Sequence, residues 1–158
     1  MDEREGGQDD VQSGRLGPPV TGALDGPDRQ LMVVDDEEAV RLRVRAILEP
    51  EGWTVTEASG GARALALLRD PPFPDLLLLD LMMPGLDGLA VLTELRRTRG
   101  IWDLPIVVLS TGGSLSTKLA GTLGADGSIT KPFDPTTLRL RCASLARPSR
   151  PAQLSSSA

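Results

Sequence analysis

The sequence predicts an α/β fold built around a doubly wound, five-stranded parallel sheet. Between residues 30 and 147, five short apolar segments alternate with five segments of helical periodicity, which indicates right-handed crossovers between parallel strands. One apolar segment, residues 76–79, is a run of four leucines, typical of a central strand buried on both faces. The length of 158 residues fits one such domain with tails.

Ten predicted elements follow one another along the chain. In order they are strand 30–35, helix 37–49, strand 53–58, helix 61–69, strand 75–80, helix 87–99, strand 105–110, helix 115–123, strand 127–130 and helix 135–146. In the first helix Val40, Val44 and Ile47 recur at helical spacing, and the turn residues 50–52 end it.

The third and fourth helices differ in how clearly the sequence predicts them. The third helix follows a Pro-Gly turn, and its periodicity directs Leu95 inward and Arg96 outward. The fourth is the weakest, because residues 111–114 (Thr-Gly-Gly-Ser) delay its start and Gly121 inside it costs about 1 kcal/mol relative to Ala. The fifth strand and helix close the alternation.

Two segments outside this alternation are predicted to be disordered tails. Residues 1–29 contain six Gly, three Pro and seven acidic residues, with almost no apolar periodicity. Such a segment cannot bury enough surface to offset its ordering entropy. Residues 148–158 are rich in Ser and Pro, and we predict that they are disordered as well. The predicted domain therefore covers residues 30–147.

Composition excludes several classes of function. The chain has no His, which rules out within it a Ser-His-Asp triad, a His metal site and a phosphohistidine. Its single Cys cannot form an intrachain disulfide, no apolar run approaches the roughly 20 residues of a membrane span, and no signal-peptide pattern is present. We therefore expect a cytoplasmic location and no membrane partner. A net charge of −5 gives no electrostatic case for nucleic-acid binding.

Polar side chains follow four of the five predicted strands. They are Asp35 and Asp36, Asp80, Ser110 and Lys131. Because the carboxyl ends of parallel strands meet at one edge of the sheet, where ligands bind in such folds, these side chains should converge. Three carboxylates in one place repel one another unless a cation intervenes, and Mg²⁺ is the natural partner for oxygen ligands beside a phosphate. A carboxylate at this position can also attack phosphorus to give an aspartyl phosphate.

Each of these features has an ordinary structural explanation when taken alone. Asp35 and Asp36 could cap the first helix, since Asp favours the N-cap and the first turn. Asp80 could be a turn residue, and Lys131-Pro132 could form an ordinary turn. Their occurrence together, at successive strand ends, favours a functional site.

The strand-end residues resemble those of the receiver domain of two-component response regulators. The resemblance covers about residues 30–147 and rests on four stretches: Val33-Val34-Asp35-Asp36, residues 79–88 (LDLMMPGLDG), residues 105–110 (PIVVLS), and residues 124–127 (GADG) running into Lys131-Pro132-Phe133. The second stretch is highly specific to this family. The resemblance implies a flavodoxin-like (βα)5 architecture with strand order 2-1-3-4-5.

The resemblance also implies the roles of the site residues. Asp80 is then the phosphoacceptor, and Asp35, Asp36 and Asp80 bind Mg²⁺ together with the backbone carbonyl of Met82. Ser110 and Lys131 contact the phosphoryl group, and the Lys131–Pro132 bond is expected to be cis.

The chain departs from the family pattern at two places. Receivers commonly carry Tyr or Phe three residues before the Lys, where this chain has Ser128. The segment from Ser110 to Lys131 also looks about one residue short, with Gly112-Gly113 where the fourth helix usually begins. We therefore expect a complete chemical site with an altered relay to the face formed by helix four, strand five and helix five.

These observations predict a stand-alone phosphoacceptor response regulator, not an enzyme beyond catalysing its own phosphorylation and dephosphorylation. About 11 residues follow the fifth helix, so output is expected through contacts with an unknown protein target. The expected donor is a histidine kinase or a histidine phosphotransfer protein. One alternative is a phosphate-independent pseudo-receiver, which Ser128 favours and the intact site opposes. A haloacid-dehalogenase-like phosphatase would need Asp-x-Asp after the first strand, where this chain has Asp35-Asp36-Glu37.

Overall fold

The computed structural model describes residues 29–112 and 114–147, and the side chain of Ser114 is not among the described groups. The segments predicted as tails lie outside these residues, with one exception. Arg29, which the sequence placed in the N-terminal tail, is the first residue of a strand.

Five strands and five helices alternate along the described chain. They are β1 (Arg29–Val34), α1 (Glu38–Leu48), β2 (Trp53–Ala58), α2 (Gly61–Leu67), β3 (Leu76–Asp80), α3 (Gly88–Arg97), β4 (Ile106–Ser110), α4 (Ser114–Thr122), β5 (Gly127–Thr130) and α5 (Pro135–Leu145). All strand pairs are parallel, in the order β2-β1-β3-β4-β5. The predicted fold class and the strand order 2-1-3-4-5 are confirmed.

Several predicted helix boundaries are wrong by one or two residues, because capping groups decide where these helices begin and end. Asp87 lies outside α3 as its N-cap, with its carboxylate accepting the backbone N–H of Ala90 at 2.9 Å. At the end of α1 the chain tightens into a 3-10 turn, Glu49–Glu51, and Gly52 then takes a φ of 98°. That left-handed conformation suits glycine because it has no Cβ.

The core forms two layers, one on each face of the sheet. On one face, alternate strand residues such as Leu77 and Leu79 pack against α2, α3 and Ala120 of α4. On the other, Leu76 and Leu78 pack against α1 and α5, including the buried thiol of Cys142. All five residues of β3 are buried, as a central strand requires. None of the helices in residues 29–112 and 114–147 is long and apolar enough to cross a membrane.

Arg96 corrects one expectation about α3. The periodicity directed it outward, but its side chain is only 18% exposed. Its guanidinium donates to the carbonyl oxygens of Trp102, Leu104 and Gly124 and to the carboxylate of Asp126. Arg96 therefore joins the loops before β4 and β5 at the amino-terminal edge of the sheet.

Candidate functional site

Three carboxylates meet at the carboxyl-terminal edge of the sheet. Asp35 and Asp36 directly follow β1, and Asp80 is the last residue of β3. One oxygen atom from each of the three lies within 4.8 Å of the others. Asp35 and Asp80 are buried whereas Asp36 is exposed, so the cluster is open to solvent on the Asp36 side. The structure thus brings together the three residues that the sequence placed at one edge.

Backbone groups hold the two buried carboxylates. The N–H of Glu37 donates to Oδ1 of Asp35 at 2.9 Å, and the N–H of Met82 donates to Oδ1 of Asp80 at 3.2 Å. In both cases the donor lies two residues after the acid, a turn that Asp side chains commonly stabilise. The backbone of the loops after β1 and β3 therefore orients the two carboxylates.

The close approach of α3 to the end of β3 depends on Gly88. A Cβ on this residue would lie 2.2 Å from the backbone oxygen of Asp80 and 2.7 Å from Cα of Leu81. Glycine lets the helix begin directly against the strand end, where the Gly88 N–H donates to the Leu81 carbonyl at 3.2 Å. The backbone around Asp80 is fixed by this packing.

Lys131 directly follows β5, and its ammonium group lies beside the carboxylates. Its Nζ lies 3.0 Å from Oδ2 of Asp35 and 3.6 Å from both Oδ1 of Asp80 and Oε1 of Glu37. Its backbone N–H donates to the carbonyl of Ser110 at 2.6 Å, and the Lys131–Pro132 bond is cis, as expected. The fourth and fifth strand ends are thus joined beside the carboxylates.

Burial and neighbouring charges shift the pKa of both central groups. Burial raises the pKa of Asp80 to about 6, with the charges of Asp35 and Asp36 acting in the same direction against the Met82 N–H and Lys131. For Lys131, burial lowers the pKa, but the hydrogen bond to Asp35 and the nearby carboxylates outweigh it, so the net shift is upward. The site therefore disfavours the ionised form of Asp80 and favours the protonated form of Lys131.

The donor set fits a hard divalent cation. Three carboxylates and one ammonium leave an excess of negative charge that burial makes unfavourable. Mg²⁺ takes oxygen ligands, keeps several waters and is usually held by one or two carboxylates, so the open side at Asp36 leaves room for water and phosphate oxygens. The carbonyl of Met82 stays a predicted ligand, since the contact at that residue is made by its N–H.

Ser110 ends β4 beside this cluster and is buried. Its hydroxyl accepts a hydrogen bond from Oγ1 of Thr117 in α4 at 3.2 Å. Ser128, at the position where an aromatic residue was expected by family resemblance, is half-buried on the edge strand β5 and pairs with Val108 of β4. Ser110 therefore contacts α4 through a hydrogen bond between two hydroxyl groups, its own and that of Thr117.

Sequence reasoning missed three residues that contact the site. Glu37 approaches Lys131, and its position directly after the acidic pair was a signal that could have found it. Arg41 donates to the backbone oxygen of Asp35 and to Oε1 of Glu57, both at 2.8 Å. The third is Thr117. Neither Arg41 nor Thr117 stands out locally, because both lie on helices and their partners lie on or directly after strands.

Comparisons with known proteins agree with this geometry. Residues 31–143 match the response regulator receiver domain family. Response regulator MprA of Mycobacterium avium (strain 104) is 42% identical over 123 residues, which are 77% of this chain and 53% of that protein. The probable transcriptional regulator ycf27 of Porphyra purpurea is 37% identical over 125 residues, 78% of this chain and 50% of that protein. The chain spans about half the length of these curated relatives.

Solved structures show the same relationship at the level of the fold. A putative response regulator from Chloroflexus aurantiacus superposes with a TM-score of 0.71 and 32% identity, covering 75% of this chain and 98% of that one. The receiver domain of NtrX from Brucella abortus gives a TM-score of 0.67 and 36% identity, covering 73% and 96%. With the match to residues 31–143, these similarities show that the chain belongs to the response regulator receiver domain family.

Proposed function

We propose that this chain is the phosphoacceptor of a two-component phosphorelay and that Asp80 takes up the phosphoryl group in a Mg²⁺-dependent reaction. One observation carries the proposal: the oxygen atoms of Asp35, Asp36 and Asp80 converge within 4.8 Å, with the Lys131 ammonium 3.6 Å from Asp80. A lone strand-end carboxylate has many uses, but this combination matches what phosphoryl transfer to an acid requires.

In the proposed reaction, a carboxylate oxygen of Asp80 attacks phosphorus and forms an acyl phosphate. The N–P bond of the phosphohistidine donor breaks, and its electron pair returns to the imidazole. Lys131 and the hydroxyl of Ser110 stabilise negative charge on the transferred oxygens. Bound Mg²⁺, held by Asp35, Asp36 and Asp80, would supply further charge neutralisation. The chain catalyses only its own phosphorylation and dephosphorylation in this scheme.

The donor imidazole comes from outside this sequence, which has no His. We propose a histidine kinase or a histidine phosphotransfer protein in this role, with the reaction in the cytoplasm. Output through contacts with another protein, in a stand-alone receiver without nucleic-acid binding, stays a prediction. One matched relative is named a probable transcriptional regulator, and half of its length lies outside the match.

Intact mass spectrometry tests the proposal directly. After incubation with acetyl phosphate and Mg²⁺, the protein should gain the mass of one phosphate, and Asp80→Asn should gain none. Asp70→Asn is the matched control, because Asp70 is an exposed carboxylate in the loop before β3, at the opposite edge of the sheet. Phosphate uptake that persists undiminished in Asp80→Asn would contradict the assignment.

A phosphate-independent binding module is the second candidate, and Ser128 is the observation that favours it. Without an aromatic ring at that position, the usual rearrangement on phosphorylation has lost its largest moving part. The two functions differ in one measurable respect. If the protein is a pseudo-receiver, the wild-type protein and the Asp80→Asn variant should bind the partner with the same affinity. That affinity should not change when acetyl phosphate is added.

A further inference from the structure

Ser110, at the end of β4, is held beside the proposed phosphoryl site by hydrogen bonds to two neighbouring elements. Its backbone carbonyl accepts the Lys131 N–H at 2.6 Å, and its Oγ accepts the Thr117 hydroxyl at 3.2 Å. Ser110 is only 4% exposed, so these protein groups, more than bulk water, decide how it is oriented. Thr117 lies at the end of the first turn of α4, seven residues further along the chain.

This hydrogen bond restricts the orientation of the Ser110 hydroxyl. A serine hydroxyl has one proton to donate and can accept two hydrogen bonds. The contact of 3.2 Å between Oγ1 of Thr117 and Oγ of Ser110 leaves the Ser110 hydroxyl able to hydrogen-bond a further group, such as an oxygen of a phosphoryl group on Asp80. A donor oriented in advance stabilises transferred charge without reorganising during the reaction.

We infer that Thr117 is a positioning residue for phosphoryl transfer, which orients Ser110 and couples it to α4. The inference rests on the proposed function of Asp80 and goes beyond it by naming a link between the site and a helix. The same helix carries Leu115 and Leu119 at its surface, 79% and 44% exposed. A shift of Ser110 towards a phosphoryl group would move Thr117 and, with it, this apolar surface.

The test compares the initial phosphorylation rates of wild type, Thr117→Val and Thr117→Ser with acetyl phosphate and Mg²⁺. Valine keeps the branched shape and removes the hydroxyl, whereas serine keeps the hydroxyl and removes a methyl group. Loss of one hydrogen bond should lower the rate about two- to tenfold in Thr117→Val. Thr117→Ser should restore most of it. The control is Thr122→Val in the same helix, where the hydroxyl of the exposed threonine donates to the Lys118 carbonyl of its own helix.

A double-mutant cycle with Ser110→Ala separates positioning from a structural role. Thr117 makes a further interaction besides this hydrogen bond, so a change in stability alone does not test the inference. If Thr117 acts through Ser110, then Thr117→Val should have no additional effect on the rate in the Ser110→Ala background. An equal loss in both backgrounds, or a wild-type rate in Thr117→Val, would overturn the inference.

Two further outcomes are also decisive. If circular dichroism shows that Thr117→Val does not fold, Thr117→Ala removes the same hydroxyl with a better helix former and takes its place in the cycle. If wild-type protein takes up no phosphate at all, the proposed function of Asp80 fails. That result differs from a failure of the inference, in which wild type and Thr117→Val are phosphorylated at the same rate.

Discussion

Lys131 lies closer to Asp35 than to Asp80, with Nζ–O distances of 3.0 Å and 3.6 Å. Asp35 has no exposed surface, so Lys131 compensates a buried carboxylate. The same ammonium is proposed to contact the phosphoryl group on Asp80. Lys131 thus stabilises the site and, in the proposed function, also takes part in its chemistry.

We expect Lys131→Ala to lower both the phosphorylation rate and the free energy of unfolding. Removing one partner of a fully buried ion pair costs 3–5 kcal/mol, and because Lys131 keeps 12% exposure we expect about 2 kcal/mol in chelator. Mg²⁺ should recover part of this loss by neutralising the carboxylates. Urea unfolding and acetyl phosphate kinetics give the two measurements. Lys118→Ala is the control, since Lys118 is the other lysine of the chain and is exposed on α4.

Mg²⁺ affinity should depend on Asp36. This residue is exposed, so Asp36→Asn should leave the fold intact while removing one charge from the cluster. We expect calorimetry to show a Mg²⁺ affinity lowered about tenfold, which corresponds to roughly 1.4 kcal/mol. Asp103→Asn, which removes an exposed carboxylate paired with Arg147, should bind as wild type does. Unchanged affinity in Asp36→Asn would place the metal elsewhere.

Asp80→Asn should raise the free energy of unfolding at neutral pH when a chelator keeps Mg²⁺ out of the site. The pKa of Asp80 is raised from 3.8 to about 6 in the folded state, so ionisation at pH above 6 costs stability, by about 3 kcal/mol at most. Below pH 4 the carboxyl is protonated whether folded or unfolded, and the cost vanishes. Thermal unfolding should therefore show a gain for Asp80→Asn at pH 7.5 that shrinks as the pH falls through 6 towards 4. A pH-independent difference would argue against this origin.

Two glycine substitutions should have opposite effects. In Gly88→Ala the new Cβ would meet the Asp80 backbone at 2.2 Å, so α3 must move away from β3. We expect a loss of stability of about 2 kcal/mol and slower phosphorylation. In Gly121→Ala nothing lies within 4 Å of the new Cβ, and alanine should stabilise α4 by up to about 1 kcal/mol. Chemical unfolding of both variants checks the pair.

Activation should change α4 more than α5. Ser128 cannot alternate between buried and exposed positions as an aromatic ring can, since such a ring buries roughly 150–250 Å². Hydrogen exchange with and without beryllofluoride should show new protection mainly over residues 111–122. Strong protection across 127–146 with 111–116 unaffected would contradict the expectation. Ser110→Ala should abolish the change in α4 if the hydroxyl carries it.

Local patterns were sufficient to predict the alternation of strands and helices and the meeting of the strand-end carboxylates, whereas the strand order was predicted from the family resemblance. The leucines of β3 mark a central strand, and a parallel sheet brings its carboxyl ends to one edge. Helix ends were less predictable, since Asp87 could belong to α3 or cap it. Arg96 was assigned wrongly because its partners are carbonyls of loops distant in sequence.

The contact between Thr117 and Ser110 could not be predicted for a related reason. It depends on how closely α4 approaches β4, which the glycine-rich segment before α4 leaves open at the level of sequence. The sequence around the start of α4 also offers several hydroxyl residues, at positions 111, 114, 116 and 117, and no local pattern distinguishes among them. Only the packed structure identifies Thr117.

The buried thiol of Cys142 makes this protein convenient for site-specific labelling. Burial raises the pKa of Cys142 to about 12, so at neutral pH it carries no reactive thiolate and is shielded from reagents. It is also the chain's single cysteine. A Leu115→Cys variant would therefore offer one reactive position on α4, where a fluorescent or spin label could report the movement of that helix without first removing a native cysteine.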